Sequence, residues 1–196
     1  PFADRIRRRS PVSAIARYPD RVEITVGDRP PERFDEVVIA AHSDQALRML
    51  ADPSPAESQI LGALRYQRNE TVLHTDKKLL PRKKLAWASW NYYLPQQRAE
   101  TPTVTYNMNI LQTLESPRPF CVSLNREDAI HPNHILTRMT YHHPVFDCKA
   151  LEAQDRKAEI SGVNRTHYCG AYWGYGFHED GVVSGLDVGR NFGKEL

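Results

Sequence analysis

The chain has 196 residues, of which 40% are hydrophobic and 26% charged, and its formal net charge is +2. These fractions are typical of a globular protein and exclude collagen, coiled coil and general disorder. So small a charge excess argues against a nucleic-acid-binding surface, and the longest aliphatic run, residues 37–41, is far shorter than the roughly 20 residues that span a membrane.

Three short strands are predicted near the beginning of the chain, at 12–17, 22–26 and 34–41. The third is apolar without alternation, which predicts a strand covered on both faces. A helix is predicted over 43–50, and another begins after Ser54, which can act as its N-cap. Pro55 then occupies the first helical position, and Glu57 completes a capping box.

The middle of the chain alternates between polar and apolar residues as sheet strands do, over 66–75, 85–93 and 103–109. Further strands are predicted at 120–124 and 135–141, and a helix over 147–160 that Gly162 would end. This order of elements predicts an α+β or mixed α/β fold.

The three cysteines, Cys121, Cys148 and Cys169, contain no CxxC pair and are odd in number. This pattern argues against a disulfide framework or a cysteine zinc site, and it favours a reducing, cytoplasmic location. A metal-ligand set could instead be drawn from His131, His134, His142, His143 and Cys148. Because neither HExxH nor a tight Cys/His spacing fixes their geometry, no metal site is predicted.

Eight of the ten glycines lie between Gly162 and Gly193. Here a strand over 166–169 is predicted to run through a glycine- and aromatic-rich turn into a helix that begins near Glu179. Glycines recur in this helix every fourth residue, at 181, 185 and 189, and so share one face. Three interior glycines cost about 3 kcal/mol relative to alanine. Close approach of the helix backbone to a strand, another helix or a flat cofactor would offset that cost.

Residues 168–181, YCGAYWGYGFHEDG, are similar to a C-terminal signature of the flavin amine oxidase superfamily, in its bacterial branch of predicted NAD/FAD-binding proteins. Residues 34–43 resemble the strand and turn that close the second FAD-domain sheet of that family. Residues 66–76, 87–92 and 141–146 resemble the substrate domain of the branch. The likeness therefore extends across most of the chain.

The resemblance implies a partial FAD-binding lobe at 1–44 and 162–196, built from strands and the glycine-rich strand–turn–helix. A substrate-domain-like region with a mixed sheet, 45–161, would be inserted into this lobe. The cofactor-binding residues that the resemblance implies are Val12, Gly170, Ala171, His178, Glu179, Gly181 and Val182.

Six of these seven positions, all except His178, have a role by analogy with the family. The Val12 backbone would meet the adenine side of FAD, and Gly170 and Ala171 would lie near the ribityl chain or pyrophosphate. Glu179, with Gly181 and Val182 behind it, would present the helix N-terminus to the flavin pyrimidine.

Two positions depart from the family pattern. Ala171 stands where many amine oxidases have an acidic residue, and His178 stands where several relatives carry a tyrosine that flanks the substrate. In addition, no strand is followed by the GxGxxG motif that holds a pyrophosphate, and the chain starts at Pro1 rather than Met. We therefore expect a C-terminal portion of a longer protein, without its N-terminal dinucleotide-binding region and with little FAD affinity of its own.

The predicted function is that of an FAD-dependent oxidoreductase fragment, inactive alone, from an enzyme that oxidises a small-molecule substrate by hydride transfer to flavin. Amine, polyene and lipid substrates stay open. No catalytic side chain is predicted, because GxSxG is absent and flavin chemistry needs positioning more than an acid–base pair. The alternatives are a non-catalytic globular or interaction domain and a histidine-based metal-binding protein.

Overall fold

The computed structural model describes residues 2–94, 101 and 103–194. They divide into two compact units: a terminal unit, Pro1–Tyr66 with Pro144–Leu196, and a central unit, Gln67–His143. Both combine helices and strands, which confirms the predicted mixture of α and β structure. No helix in these described ranges has the length and apolar character needed to cross a bilayer. The first and last positions of the predicted FAD-binding lobe, 1 and 196, lie outside the described residues.

Five α-helices and ten strands lie in the described part of the chain. The helices are α1 (Ser43–Met49), α2 (Pro55–Ala63), α3 (Met108–Leu111), α4 (Cys148–Asp155) and α5 (His178–Asn191). The strands are β1 (Val12–Arg17), β2 (Val22–Val26), β3 (Glu32–Phe34), β4 (Val37–Ile39), β5 (Tyr66–His74), β6 (Trp90–Tyr92), β7 (Val104–Asn107), β8 (Cys121–Leu124), β9 (Ile135–Pro144) and β10 (Thr166–Tyr168).

Two small sheets build the terminal unit. Strands β1, β2 and β3 form an antiparallel sheet in that order, and β4 pairs in parallel with β10. The single strand predicted over 34–41 is therefore wrong: it is two strands that pair with different partners. Its predicted burial on both faces is also wrong, because Val38 is 45% exposed between the buried Val37 and Ile39.

The helix that follows Ser54 begins as its sequence predicts. The Ser54 hydroxyl accepts the Glu57 N–H at 3.2 Å, and Glu57 Oε2 accepts the Ser54 N–H at 2.8 Å, which completes the capping box. The helix predicted over 147–160 is shorter. Asp147 caps α4, which ends at Asp155. The last part of the predicted helix instead forms a separate 3₁₀ turn, Lys157–Glu159, and Gly162 follows at φ +85°.

The terminal unit has a continuous apolar core, drawn from both sheets and from α1, α2 and α4. Its members are Ile15, Val22, Val37, Ile39, Ala46, Leu50, Ile60, Leu61, Leu64, Ala150, Ala153, Ile160, Tyr168 and Tyr172. A buried polar group crosses this core: Arg17 pairs with Glu57, whose Oε1 also accepts the Tyr168 hydroxyl at 2.7 Å. Burial acts to raise the Glu57 pKa, but the hydrogen bonds from Arg17, Ser54 and Tyr168 lower it overall.

The central unit contains one sheet, ordered β6-β7-β8-β5-β9. The strand predicted over 85–93 is wrong for its first half, because Lys84–Ala86 forms a 3₁₀ turn and β6 begins at Trp90. The bend is fixed by side chains: the Trp87 indole donates to the Pro81 carbonyl at 2.8 Å, and Asn91 bonds the backbone of Ala88. The strand predicted over 103–109 likewise gives way to α3 at Met108.

Polar side chains fill much of the interior of the central unit. His74, Ser123 and Thr105 form a buried chain, with 2.8 Å from His74 Nε2 to Ser123 Oγ and 2.7 Å from Ser123 Oγ to Thr105 Oγ1. The apolar cluster of this unit consists of Val72, Leu79 and Ile130. Hydrogen bonding therefore contributes a larger share of the core here than in the terminal unit.

Candidate cofactor site

The strand–turn–helix predicted near the C-terminus lies in the terminal unit. Strand β10 runs beside β4, and the ladder continues one residue further through the Cys169 N–H, which donates to the Ile39 carbonyl at 3.2 Å. The chain then turns over 170–177 and enters α5 at His178. The structure confirms the predicted strand and the predicted start of the helix to within a residue.

Three side chains hold the turn in place. The Ser184 hydroxyl accepts the Gly170 N–H at 2.9 Å, and Asp180 Oδ2 accepts the N–H groups of Tyr175 and Phe177 at 3.0 and 2.8 Å. Gln154 on α4 donates to the carbonyls of residues 172 and 174 at 2.8 and 2.6 Å. The turn is thus fixed from two helices. Sequence reasoning missed all three supports, although an acidic residue in the first turn of α5 was a usable signal.

The glycines of the turn are required by close contacts. A Cβ at Gly170 would lie 2.5 Å from Tyr172 Cε1, and a Cβ at Gly174 would lie 2.5 Å from Asp180 Oδ1. Gly176 has φ +87°, a left-handed conformation that side chains disfavour. Packing and backbone geometry therefore explain these three glycines without a ligand.

The glycines on the face of α5 are different. A Cβ at Gly181 would meet Ala171 Cβ at an ordinary 3.8 Å, and one at Gly185 would meet nothing within 4 Å. A Cβ at Gly189 would lie 3.6 Å from the Lys194 carbonyl oxygen, again an ordinary contact. Among the described residues, then, no strand or helix packs tightly enough on this face to require glycine. Packing within the chain does not offset the helical cost of about 1 kcal/mol for each of them.

Six of the seven predicted cofactor-binding residues lie on this one strand–turn–helix. Gly170 and Ala171 begin the turn that follows β10, and Ala171 N is 3.9 Å from the Cβ position of Gly181. The other three, His178, Glu179 and Val182, lie in the first two turns of α5 and are exposed. Val12 lies instead at the start of β1, in the three-stranded sheet.

The start of α5 combines free backbone N–H groups with two carboxylates, those of Glu179 and Asp180. Phenylalanine at the N-cap, residue 177, offers no side-chain acceptor, and no side chain among the described residues caps the first N–H groups, those of His178 and Glu179. These groups carry the partial positive charge of the helix dipole. The Gly170 N–H, in contrast, is already bonded to Ser184. The polar groups left to meet a ligand are therefore those of the helix start.

Large apolar side chains around the same turn are exposed. Tyr175 is 74% exposed and Phe177 53%, and Val182 and Val183 on α5 are about half exposed. These four exposed apolar side chains lie within nine residues of one another in the sequence. The turn and the first turns of α5 therefore combine a rigid backbone, open N–H groups and an uncovered apolar surface.

The described residues give little support to a metal site or to a reactive cysteine thiol. In the ranges 2–94, 101 and 103–194, no three His, Cys, Asp or Glu side chains are arranged to hold a metal ion. His131 and His134 have ring centroids 5.7 Å apart, whereas His143 Nδ1 lies 2.8 Å from Asn69 Nδ2. Burial raises the pKa of Cys121 to about 11 and also raises that of Cys169, so neither is a thiolate at neutral pH.

Comparison with known proteins identifies solved structures that share this fold. No family model and no curated protein sequence matches the chain. Solved structures do match: a fatty acid isomerase from P. acnes with TM-score 0.63 and 15% identity over 93% of this chain, and a redesigned putrescine oxidase with TM-score 0.60 and 11% identity over 93%. Cyclohexylamine oxidase from Brevibacterium oxydans matches with TM-score 0.53 and 12% identity over 94% of this chain.

The matches are partial on the side of the known structures. The chain spans about half of their length, 47%, 48% and 49% respectively. Two of the three are amine oxidases, the class of enzyme that residues 168–181 resemble. At 11–15% identity, these matches show a shared fold.

Proposed function

We propose that this chain is the C-terminal portion of an FAD-dependent, amine oxidase-like oxidoreductase. The observation that supports this proposal is the α5 glycine face: Gly181 lies beside Ala171 of the turn, and no contact among the described residues requires a glycine there. A flat cofactor lying on this face would explain why glycine is present there. The fold shared with two amine oxidases over 93–94% of this chain supports the same proposal.

The residues present fit a flavin. A flat ring could lie against the α5 surface at Gly181, which carries no side chain, and the N–H groups of His178 and Glu179 would hydrogen-bond to the pyrimidine side. Tyr175 and Phe177 could cover apolar parts of the ring system. When bound, FAD would supply the hydride acceptor for oxidation of a small-molecule substrate.

The remaining parts of the enzyme follow from the same proposal. Residues 1–44 and 162–196 would belong to the FAD-binding lobe, with the Val12 backbone toward the adenine side, and 45–161 to the substrate domain. A dinucleotide-binding region outside this chain would hold the pyrophosphate. Alone, the 196-residue chain would retain little FAD and would not turn over. We also propose a cytoplasmic location, because the three cysteines are unpaired.

A pair of matched substitutions tests the proposal in the longer protein encoded by the complete reading frame. Gly181→Val should reduce retained FAD at least tenfold, because the new side chain covers the helix surface on which the ring would lie. Gly62→Val is the control: it makes the same change in an exposed glycine of α2, where a Cβ would meet only Leu47 at 4.0 Å, and it should retain FAD. Retained FAD is measured by mass spectrometry after desalting. Equal retention in both variants would mean that the glycine face does not hold the cofactor.

A further inference from the structure

A second surface, in the central unit, carries a dense positive charge. Five of the eight residues from 77 to 84 are cationic: Lys77, Lys78, Arg82, Lys83 and Lys84. All five are exposed, and within the described part of the chain none forms a salt bridge. The nearly neutral total of +2 conceals this local excess, in which the Asp76 carboxylate at the start of the segment interacts with Lys78 but is outnumbered by the five cations.

The cationic segment is held rigidly. Leu79 and Leu80 are buried beneath it, and Asp76 fixes its beginning by accepting the N–H groups of Lys78 and His131, each at 3.0 Å. At the other end, the Trp87 indole donates to the Pro81 carbonyl at 2.8 Å. The charges are therefore displayed by a fixed loop, so less conformational entropy is lost when they bind.

The cations border an open groove of about 1010 Å³ that also has apolar walls. We call this surface the basic groove; its lining consists of Lys77, Lys78, Leu80, Pro81, Arg82, Lys84, Trp87, Asn107, Asn109, Ile110, Leu114, Ser116, Pro117 and Pro119. Four of these side chains are cationic, and this described lining contains no carboxylate. Beside it, Leu85 is fully exposed, and Ile110 and Leu114 are 45% and 39% exposed.

We propose that the basic groove is a docking surface for an anionic phospholipid bilayer. Unpaired Lys and Arg side chains attract the acidic headgroups, and their long stems can lie along apolar surface while the charges stay in water. Exposed leucine and isoleucine beside them would enter the boundary between headgroups and acyl chains. A nucleic acid would use the cations but would leave these apolar side chains without a partner, so the combination favours a membrane.

The size of the effect can be estimated. Each Lys or Arg held near an anionic membrane strengthens binding by roughly a factor of five. Three such cations together account for about a hundredfold preference for anionic over neutral lipid. The preference should weaken with salt, since exposed charges are screened within about 10 Å at 0.1 M.

Vesicle co-sedimentation of the 196-residue chain tests the docking surface. The wild-type chain should bind phosphatidylglycerol vesicles at least about a hundredfold better than phosphatidylcholine vesicles at low salt. The triple variant Lys78→Gln, Arg82→Gln, Lys84→Gln should lose most of this preference. The matched control Arg29→Gln, Lys149→Gln, Lys194→Gln removes three exposed cations from the terminal unit and should keep it.

A fourth variant separates the apolar contribution. Leu85→Ser should weaken binding to phosphatidylglycerol vesicles about tenfold without changing its salt dependence. Circular dichroism confirms that each variant keeps the wild-type fold. Three outcomes would overturn the proposal: equal binding to both lipids, equal losses in the two triple variants, or binding to duplex DNA with none to vesicles.

Discussion

The interiors of the two units of this protein differ in their proportions of apolar and polar side chains. The terminal unit packs fourteen largely apolar residues into one cluster, which is crossed by the buried ion pair of Arg17 and Glu57. The central unit buries about as many polar as apolar side chains among its described residues, and joins several of them by hydrogen bonds. Apolar packing is insensitive to pH, whereas a buried titratable group is not. We therefore expect the units to respond differently to mutation and acid.

The largest expected effect comes from breaking the charged crossing of the terminal core. The side chains of Arg17 and Glu57 are 3% and 2% exposed. Arg17→Met therefore leaves the Glu57 carboxylate buried without its cation. We expect the unfolding free energy to fall by about 3–5 kcal/mol. Urea unfolding measures the change. Arg48→Met is the control: it breaks the exposed pair with Asp44 and should cost under about 0.5 kcal/mol. Equal losses would show that burial of the pair is unimportant.

Acid should act on the central unit through His74. The Asp76 N–H donates to His74 Nδ1, so the neutral ring keeps its proton on Nε2 and donates to Ser123. Burial lowers the His74 pKa from its usual 6.5 to about 4. Between these values the unfolded chain takes up a proton that the folded chain refuses. Stability is therefore complete above pH 6.5 and declines toward pH 4, by about 3 kcal/mol.

A pH series of urea unfolding curves measures this decline. His74→Gln should flatten the curve between pH 6.5 and 4, although it also lowers stability at neutral pH. His142→Gln, an exposed histidine on β9, should leave the slope unchanged. A slope that survives the loss of His74 would contradict the assignment.

The rigid turn of the terminal unit should resist enlargement. A Cβ at Gly170 would lie 2.5 Å from the ring of Tyr172, which is itself buried and cannot move aside freely. Gly170→Ala should destabilise the chain by about 1–3 kcal/mol through overpacking. Thermal unfolding followed by circular dichroism checks this. A neutral result would mean that the turn is less tightly held than its hydrogen bonds indicate.

The smallest predicted effect is an increase in stability rather than a loss. Gly185→Ala adds a methyl group in open space on α5, so the 196-residue chain should gain about 1 kcal/mol from helix propensity. The same thermal measurement serves for both alanines. A loss of stability here would indicate that another part of the chain packs on this face and would remove the main argument for a cofactor.

Local sequence signals predicted the parts of the fold that depend on neighbouring residues. The capping box of Ser54 and Glu57 and the strand–turn–helix ending in α5 are examples, since their contacts lie within a few positions. The split of 34–41 was not predictable, because it depends on β4 pairing with β10, about 130 residues away. Residues 85–89 alternate like a strand, yet the Trp87 hydrogen bond folds them into a bend.

The candidate site likewise combines features that the local sequence predicted with features that depend on distant contacts. The sequence resemblance identified the segment, and six of its seven predicted residues share one strand–turn–helix. It did not reveal the supports Gln154 and Ser184, which reach the turn only through tertiary packing. Nor did the net charge reveal the basic groove, because a total over the whole chain hides five cations within eight residues.

The flavin content of the protein from the complete reading frame tests the central proposal most directly. Purified without added cofactor, that longer protein should show flavin absorbance and contain close to one FAD per chain by mass spectrometry. The 196-residue chain, purified and mixed with FAD under the same conditions, should retain almost none. A longer protein that is folded and colourless, with no FAD recovered even after incubation with the cofactor, would contradict the proposed function.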